Sequence, residues 1–293
     1  FVLWKFLTLR PNVCLGFLRR LGMLAVVLKG LLFWRDVRVV IGEDTYSSKS
    51  LADEIPHKSY AGLVGTLMKW LFPRADLVLS PSEAAKKDLT DTFKVPGSKI
   101  VVLRNWISNL PDHQEANRDY DVVFAGRLEP VKDVPFLLEA LALTARFRPG
   151  LRVCVVGDGS EMGKLQRLAE GLDLREQVEF VGFQDSVEEF LVRGKILCIT
   201  SLYEGLPMVG LEAMSHGLPI VTRSFAGAEE LVVNGETGFV CDDIREFDRR
   251  VRQLLDDCAL RDKLGAAGRQ MVALNHSKQN IATLLELLVS ARH

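Results

Sequence analysis

The chain has 293 residues, 48% hydrophobic and 26% charged, a balance that excludes disordered and fibrous classes. Lys and Arg number 37 against 38 Asp and Glu, so the net charge is -1 and the chain as a whole is no nucleic-acid binder. The length suits two domains of about 150 residues each.

The chain opens on Phe1 in an apolar run, and residues 1–40 hold seven basic side chains (Lys5, Arg10, Arg19, Arg20, Lys29, Arg35, Arg38) against one acid, Asp36. Such an edge suits either anionic lipid headgroups or a packed helix with solvated cationic tips. Leu21 to Trp34 is apolar but broken by Lys29, and no run approaches the roughly 18–20 residues that a membrane span needs. No polar cleavage region follows it, which argues against a signal peptide.

From about residue 37, short β-branched runs alternate with helical patterns. The predicted strands are 37–42, 76–82, 99–105, 120–126, 151–157, 178–183, 195–203 and 218–224, apolar on both faces as parallel strands covered by helices are. Helices are predicted from Val134 to about Phe147, from near Ser160 to Gly171, from Pro207 to Gly217, and over Ile281 to Val289. The alternation implies right-handed βαβ units in a doubly wound sheet. A polar stretch, Ser108 to Asp119, marks the expected boundary, and the β/α alternation restarts at Tyr120. The five cysteines (Cys14, Cys154, Cys198, Cys241, Cys258) are scattered, without CxxC spacing; a reducing cytoplasm fits them best.

In open α/β sheets ligands bind beyond the carboxyl ends of strands. There the sequence offers Arg127 and Lys132 after the 120–126 strand, Asp158-Gly159-Ser160 after 151–157, Phe183-Gln184-Asp185 after 178–183, and Glu204-Gly205-Leu206-Pro207 after 195–203. Two cations beside a helix start favour an anion such as phosphate. Gly205 lets backbone approach a ligand closely. The two acceptor oxygens of Glu212, in the second turn of a helix, suit a vicinal diol such as ribose; Glu204, eight residues earlier, could reach a second sugar.

The segment EGLPMVGLEAMSHGLPIV, with Glu204 and Glu212, resembles the paired-glutamate signature of retaining glycosyltransferases of family 4, which have the GT-B fold. FAGRLEPVKDVPFLLEAL, VVGDGSEMGKLQRLAEGLDLREQVEFVGF and AGAEELVVNGETGFV extend the resemblance through the second half. RADLVLSPSEAAKKDL and KVPGSKIVVLRN resemble the end of the family's N-terminal domain. The resemblance implies two Rossmann-like parallel-sheet domains facing a cleft: an incomplete acceptor-side domain at 1–115, a donor domain at 116–275, and a C-terminal helix at 276–293 packing back on the first. It implies that Arg127 and Lys132 hold the donor pyrophosphate, Glu204 contacts the transferred sugar and Glu212 the ribose. Gly205, Leu206, Pro207 and Met208 would serve sugar and phosphates, and Gly182 with Phe183 the nucleobase. The donor would be a nucleotide sugar, UDP-linked by preference, used without metal or other cofactor. The acceptor would be a glycan or lipid-linked glycan of surface polysaccharide synthesis, and the protein cytoplasmic, about 70–100 residues longer, and in contact with the inner membrane face through residues 1–40.

Three departures stand out. Asp133 follows Lys132 where the family has Gly, Glu43-Asp44 stand where relatives place a sugar-contacting His, and the family's first βαβ units have no counterpart upstream of Phe1. Glu230 follows only one of the two glycines of the family's GGxxE pattern. Two weaker patterns are set aside: Asp119-Tyr120-Asp121, a DxD that precedes a strand, and Gly157-Asp158-Gly159 with Gly163, whose spacing is wrong for a dinucleotide. A nucleotide-sugar-binding protein without transferase activity and a related GT-B epimerase or phosphorylase are the alternative expectations.

Overall fold

A computed structural model describes residues 11–32, 36–55, 57–108, 110–111 and 117–289. Of the basic edge, Lys5, Arg10 and Arg35 lie outside the described residues, as do Asn109 and residues 112–116 of the predicted boundary. The chain divides into two compact units, residues 1–105 with 279–293, and residues 106–278.

In the first unit the order is β1 (Val13–Phe17), α1 (Arg19–Leu31), β2 (Arg38–Gly42), α2 (Ser47–Glu54), α3 (Lys58–Leu71), β3 (Leu77–Ser80), α4 (Glu83–Phe93) and β4 (Ile100–Val102). The strands form one parallel sheet in the order β1-β2-β3-β4. Side-chain alternation splits its apolar residues between two faces. Val39 and Ile41 pack with Val64, Met68, Leu89 and Phe93 from the helices, while Val40, Leu77 and Leu79 point the other way. The second face receives Leu284 of the C-terminal helix (Gln279–Val289), and Asn280 Nδ2 donates to the Arg104 carbonyl at 3.1 Å. Asp76 ties α1 to the sheet: Lys29 Nζ and the Val39 amide both donate to its Oδ2 at 2.6 Å.

The second unit continues with β5 (Tyr120–Ala125), α5 (Val134–Ala145), β6 (Val153–Val156), α6 (Met162–Gly171), β7 (Val178–Gly182), α7 (Glu188–Val192), β8 (Gly194–Ile199), α8 (Met208–Ser215), β9 (Ile220–Arg223), α9 (Ala228–Leu231), β10 (Gly238–Cys241), α10 (Ile244–Asp256) and α11 (Cys258–Asn275); the C-terminal helix is α12. Its six-stranded sheet has the order β10-β9-β8-β5-β6-β7, parallel throughout. Apolar cores cover both faces, one around Val122, Phe124, Leu137 and Phe247, the other around Val123, Leu197, Leu211 and Ile220.

Each predicted strand is present and each is shorter than predicted, most of all 99–105, which stops at Val102, and 195–203, which stops at Ile199. β1 and β10 were not predicted. For the basic, apolar edge at residues 1–40 the packed-helix reading holds only in part: residues 13–17 form a strand, and the helix follows at Arg19–Leu31. The edge strand β10 is only four residues long, GFVC, too short for periodicity to register. Pro207 caps α8 from outside, so the helix starts one residue later than predicted. The DxD acids sit at the amino end of β5 and are already engaged: Asp119 accepts from Arg193, and Asp121 from Lys195 and the Arg152 amide.

At the carboxyl end of β2, Glu43 is 6% exposed. Ser47 Oγ donates to its Oε2 at 2.7 Å, while Oε1 is buried without a hydrogen-bond partner. Burial pushes its carboxyl from 4.5 to about 7; Ser47 and Arg19 oppose the shift, Asp44 and Asp88 add to it. A folded-state pKa above the unfolded one means that stability is fully present below the unfolded value and is lost as pH rises to the folded one. Chemical denaturation between pH 4.5 and 7 should therefore show a loss of stability of order 3 kcal/mol from this group. Glu43→Gln should flatten that slope. An unchanged slope in the variant would assign the pH dependence elsewhere.

Candidate functional site

The strand order sets the location. From β5 the chain moves outward through β6 and β7, then returns to lay β8 against the opposite side of β5. The loops leaving β5 and β8 therefore diverge over a topological switch point, where open parallel sheets form their ligand crevice.

The floor of this crevice is backbone packed on backbone. At Gly157, φ is 131°, and a Cβ there would lie 1.9 Å from the Gly126 carbonyl oxygen. At Gly159 a Cβ would fall 2.4 Å from the Leu128 oxygen. The Gly157-Asp158-Gly159 pattern is thus accounted for by close passage of the β6 loop under the β5 loop, fastened by Leu128 N donating to Asp158 O at 2.8 Å. Ser160 closes the same junction through its amide and hydroxyl, which donate to Glu129 at 3.0 and 2.7 Å and hold that carboxyl below its usual range.

Above this floor the β5 and β8 loops are tied together. Leu202 N donates to Val131 O at 2.8 Å, and Thr200 Oγ1 to Lys132 O at 2.8 Å. Lys132 Nζ forms an ion pair with Glu204 Oε1, the oxygen that also accepts from Ser201 Oγ at 2.6 Å. Both side chains of the pair are more than four-fifths buried, at 18% and 16% exposed. Asp133, the residue that replaces glycine, adopts the left-handed conformation, φ 43° and ψ 49°, which Asp tolerates better than most residues. Its carboxylate pairs with Arg223 of β9, whose guanidinium also lies 4.9 Å from the Phe136 ring centroid. Arg127 is exposed and makes no ion pair among the described residues.

Glu212 lies elsewhere in the unit. It occupies the second turn of α8 and faces a cavity of about 610 Å³ lined also by Met208, Glu188, His216, Asp185 and Trp106. Burial raises its carboxyl above the usual range, and the charge of Glu188 adds to the effect. His216 Nε2 lies 3.4 Å from Glu188; burial lowers the imidazole's pKa despite that neighbour. The end of α8 is held by two cations: Arg269 donates to Ser215 O at 2.8 Å, and Arg118 to His216 O at 3.2 Å.

Of the predicted residues, Lys132 and Glu204 are in direct contact, while Met208 and Glu212 share the cavity wall. Gly205, Leu206 and Pro207 are buried in the turn between these two places. Gly182 has φ 72° and accepts the Gly157 amide at 2.9 Å, and beside it Phe183 is exposed. Gly227, ahead of Glu230, starts α9 with φ 89°. Sequence reasoning missed Ser201, Arg223, Glu188 and Trp106. Only Ser201 carried a local signal, its i, i+3 spacing to Glu204; the others arrive from distant positions.

Comparison with known proteins agrees with this architecture. Residues 108–271 match the family model for glycosyl transferases group 1, and residues 18–108 match the model for glycosyltransferase family 4. The chain is 30% identical over 228 residues to a glycogen synthase of Mycobacterium tuberculosis, covering 75% of this chain and 55% of the relative. It is 27% identical over 254 residues to an N-acetylgalactosaminyltransferase of Campylobacter jejuni that acts on a diphospho-undecaprenol glycan, covering 84% and 67%. The chain spans about half the length of the first curated relatives it matches. Among solved structures, Anabaena HepE in complex with UDP and glucose superposes with a TM-score of 0.82 at 20% identity, over 98% of this chain and 82% of that one. The two parallel-sheet units are those of the GT-B fold, and, with more than half its length inside the first family model, the chain belongs to the glycosyl transferases group 1 family.

Proposed function

We propose that the protein transfers a sugar, with retention, from a nucleotide-diphosphate donor to a glycan or lipid-linked glycan in surface polysaccharide synthesis. The observation that carries this reading is the arrangement at the switch point. A largely buried Lys132–Glu204 pair closes the crevice between β5 and β8, and α8, which follows Glu204 in the chain, presents a half-buried carboxylate to a cavity large enough for a nucleoside. The family membership, and relatives named for glycan and lipopolysaccharide synthesis, support it. UDP is the favoured nucleotide, since solved relatives were captured with UDP.

In this reading Glu212 accepts from two ribose hydroxyls. An incoming diphosphate competes with Glu204 for Lys132, and exposed Arg127 supplies a second cation. Glu204, released from Lys132 but still held by Ser201, turns its acceptor oxygens to hydroxyls of the donor sugar. Negative charge developing on the leaving diphosphate meets cations already fixed in place, which is the largest contribution such a site can make. The chain's own residues supply these roles, and no metal or other cofactor is part of the proposal. Cytoplasmic location with peripheral contact at the inner membrane face, through residues 1–40, belongs to the same proposal. A nucleotide-sugar-binding protein without turnover is the second reading; binding of UDP without donor hydrolysis or transfer would favour it.

Calorimetric titration with UDP should show binding that Glu212→Ala weakens about ten- to a hundredfold, the loss expected for charge-assisted hydrogen bonds. Undiminished binding would remove Glu212 from the ribose. Because burial, and after it the charge of Glu188, raises the Glu212 carboxyl, UDP binding should weaken on the acid side at a higher pH than for an ordinary glutamate, and Glu188→Gln should move that edge partway down.

The Lys132–Glu204 pair makes the two variants differ. Lys132→Ala should weaken UDP binding, whereas Glu204→Gln, by freeing Lys132, should leave UDP affinity unchanged or tighter while abolishing hydrolysis or transfer of UDP-glucose. Equal loss of UDP affinity in both would show that Glu204 serves the nucleotide and not the sugar.

A further inference from the structure

The cavity that Glu212 faces is backed by α11, and the sequence of that helix explains how closely. Gly265 and Gly268, three positions apart, fall on one helix face. A Cβ on Gly265 would lie 2.0 Å from the Gly217 carbonyl oxygen, and one on Gly268 3.2 Å from Met214 Cγ. The two glycines therefore let α11 settle against the end of α8, backbone on backbone. Arg269 comes next in the chain, and this close approach brings its guanidinium within reach of the cavity walls.

Arg269 joins two of those walls. Nη1 donates to the Ser215 carbonyl at 2.8 Å, and Nη2 to the Pro111 carbonyl at 2.5 Å. Ser215 belongs to α8 and Pro111 follows the segment that carries Trp106, and both residues line the cavity with Glu212. The Ser215 carbonyl is among the last of its helix, which lack a partner inside it, so a cation there also meets the negative end of the helix dipole. A cap explains one of the two bonds. Arg118, donating to His216 O at 3.2 Å, is a cap of that simple kind. The bond to Pro111 ties the cap to a loop 158 positions away. The same loop is gripped a second time at the end of α11, where Ile107 N donates to His276 O at 2.8 Å.

From Ser215 the tie reaches Glu212 within one helical turn, since Ser215 Oγ donates to Glu212 O at 2.7 Å. The charge of Arg269 is felt in the cavity as well. Burial, with Arg269 and Arg118 adding to it, holds the His216 imidazole down against the opposing effect of Glu188.

We infer that Arg269 is a positioning residue for the bound nucleoside, fixing the α8 wall, with Glu212 and Met208, relative to the wall with Trp106. This role rests on the reading of Glu212 as the ribose-binding residue, and it supplies what holds Glu212 in place. A guanidinium suits the task because its donors lie in one rigid fork, whereas a Lys ammonium is a compact point charge on a flexible stem. Without the fork the two carbonyls lose their common anchor, and Glu212 and Trp106 are no longer held in register.

The experiment is calorimetric titration with UDP of the unaltered chain, Glu212→Ala, Arg269→Ala and Arg269→Lys, with and without millimolar guanidinium. Arg269→Ala should weaken UDP binding about tenfold, in line with the loss of charge-assisted hydrogen bonds that act through another residue. Guanidinium, filling the space that the side chain leaves, should restore most of that affinity. An equal concentration of sodium should not, and the unaltered chain should respond to neither. Arg269→Lys should fall between. In the Glu212→Ala background Arg269→Ala should cost much less than this factor, because the principal group it positions is gone. Unaltered affinity in Arg269→Ala, or a loss that guanidinium leaves in place, overturns the inference. Where Arg269→Ala does not fold, Arg269→Lys decides, and affinity equal to that of the unaltered chain overturns it equally. No UDP binding by the unaltered chain, or binding that Glu212→Ala leaves untouched, fails the ribose reading and removes this role with it. Binding that depends on Glu212 and not on Arg269 fails this role alone.

Discussion

The pairing of β5 with β6 on one side and β8 on the other is the constraint from which the rest of the second unit follows. Two parallel neighbours on a central strand require the chain to leave it in opposite directions, and the loops beyond its carboxyl end cannot then cover the same ground. The gap is narrow, because β5 and β6 loops touch backbone to backbone where Gly157 and Gly159 pass beneath Gly126 and Leu128. Any side chain at those glycines would lift one loop off the other and displace Arg127 and Lys132 with it. A pattern that looks like half of a dinucleotide fingerprint is therefore structural here, and it acts on ligand binding only through the residues it positions.

Charge in the crevice is arranged as two separate pairs. Lys132 is matched by Glu204 from the β8 loop, Asp133 by Arg223 from β9. Adjacent in sequence, Lys132 and Asp133 would otherwise neutralise one another; the left-handed backbone at Asp133 points them to different strands. The substitution of Asp for Gly at this turn consequently costs the site little positive potential, and it adds a tie between α5 and β9. Lys132 remains the cation whose partner an anionic ligand can displace, since Glu204 keeps a second bond from Ser201.

The two units share a further trait. Each places a carboxyl beyond the sheet's polar ends in a setting that favours its neutral form: Glu43 after β2, where burial dominates, and Glu212 on α8, where burial and a like charge act together. The contrast with Asp119 is instructive. That carboxylate sits at the opposite, amino-terminal edge of its sheet with Arg193 against it, and its pKa is lowered. Asp119 is fully engaged by its cation, whereas Glu43 keeps Oε1 without a hydrogen-bond partner.

The sheet core was legible because buried parallel strands are long apolar runs bounded by turn residues, and 120–126 or 151–157 cannot be read otherwise. Edge strands were not. β10 has four residues, and β1 contains Gly16 and follows an apolar stretch that dilutes any boundary. The candidate ligand-contacting residues were legible as types at loop positions, but their partners were not: nothing local in the sequence announces that Arg223 reaches Asp133 across 90 positions, or that Trp106 and Glu212 line one cavity.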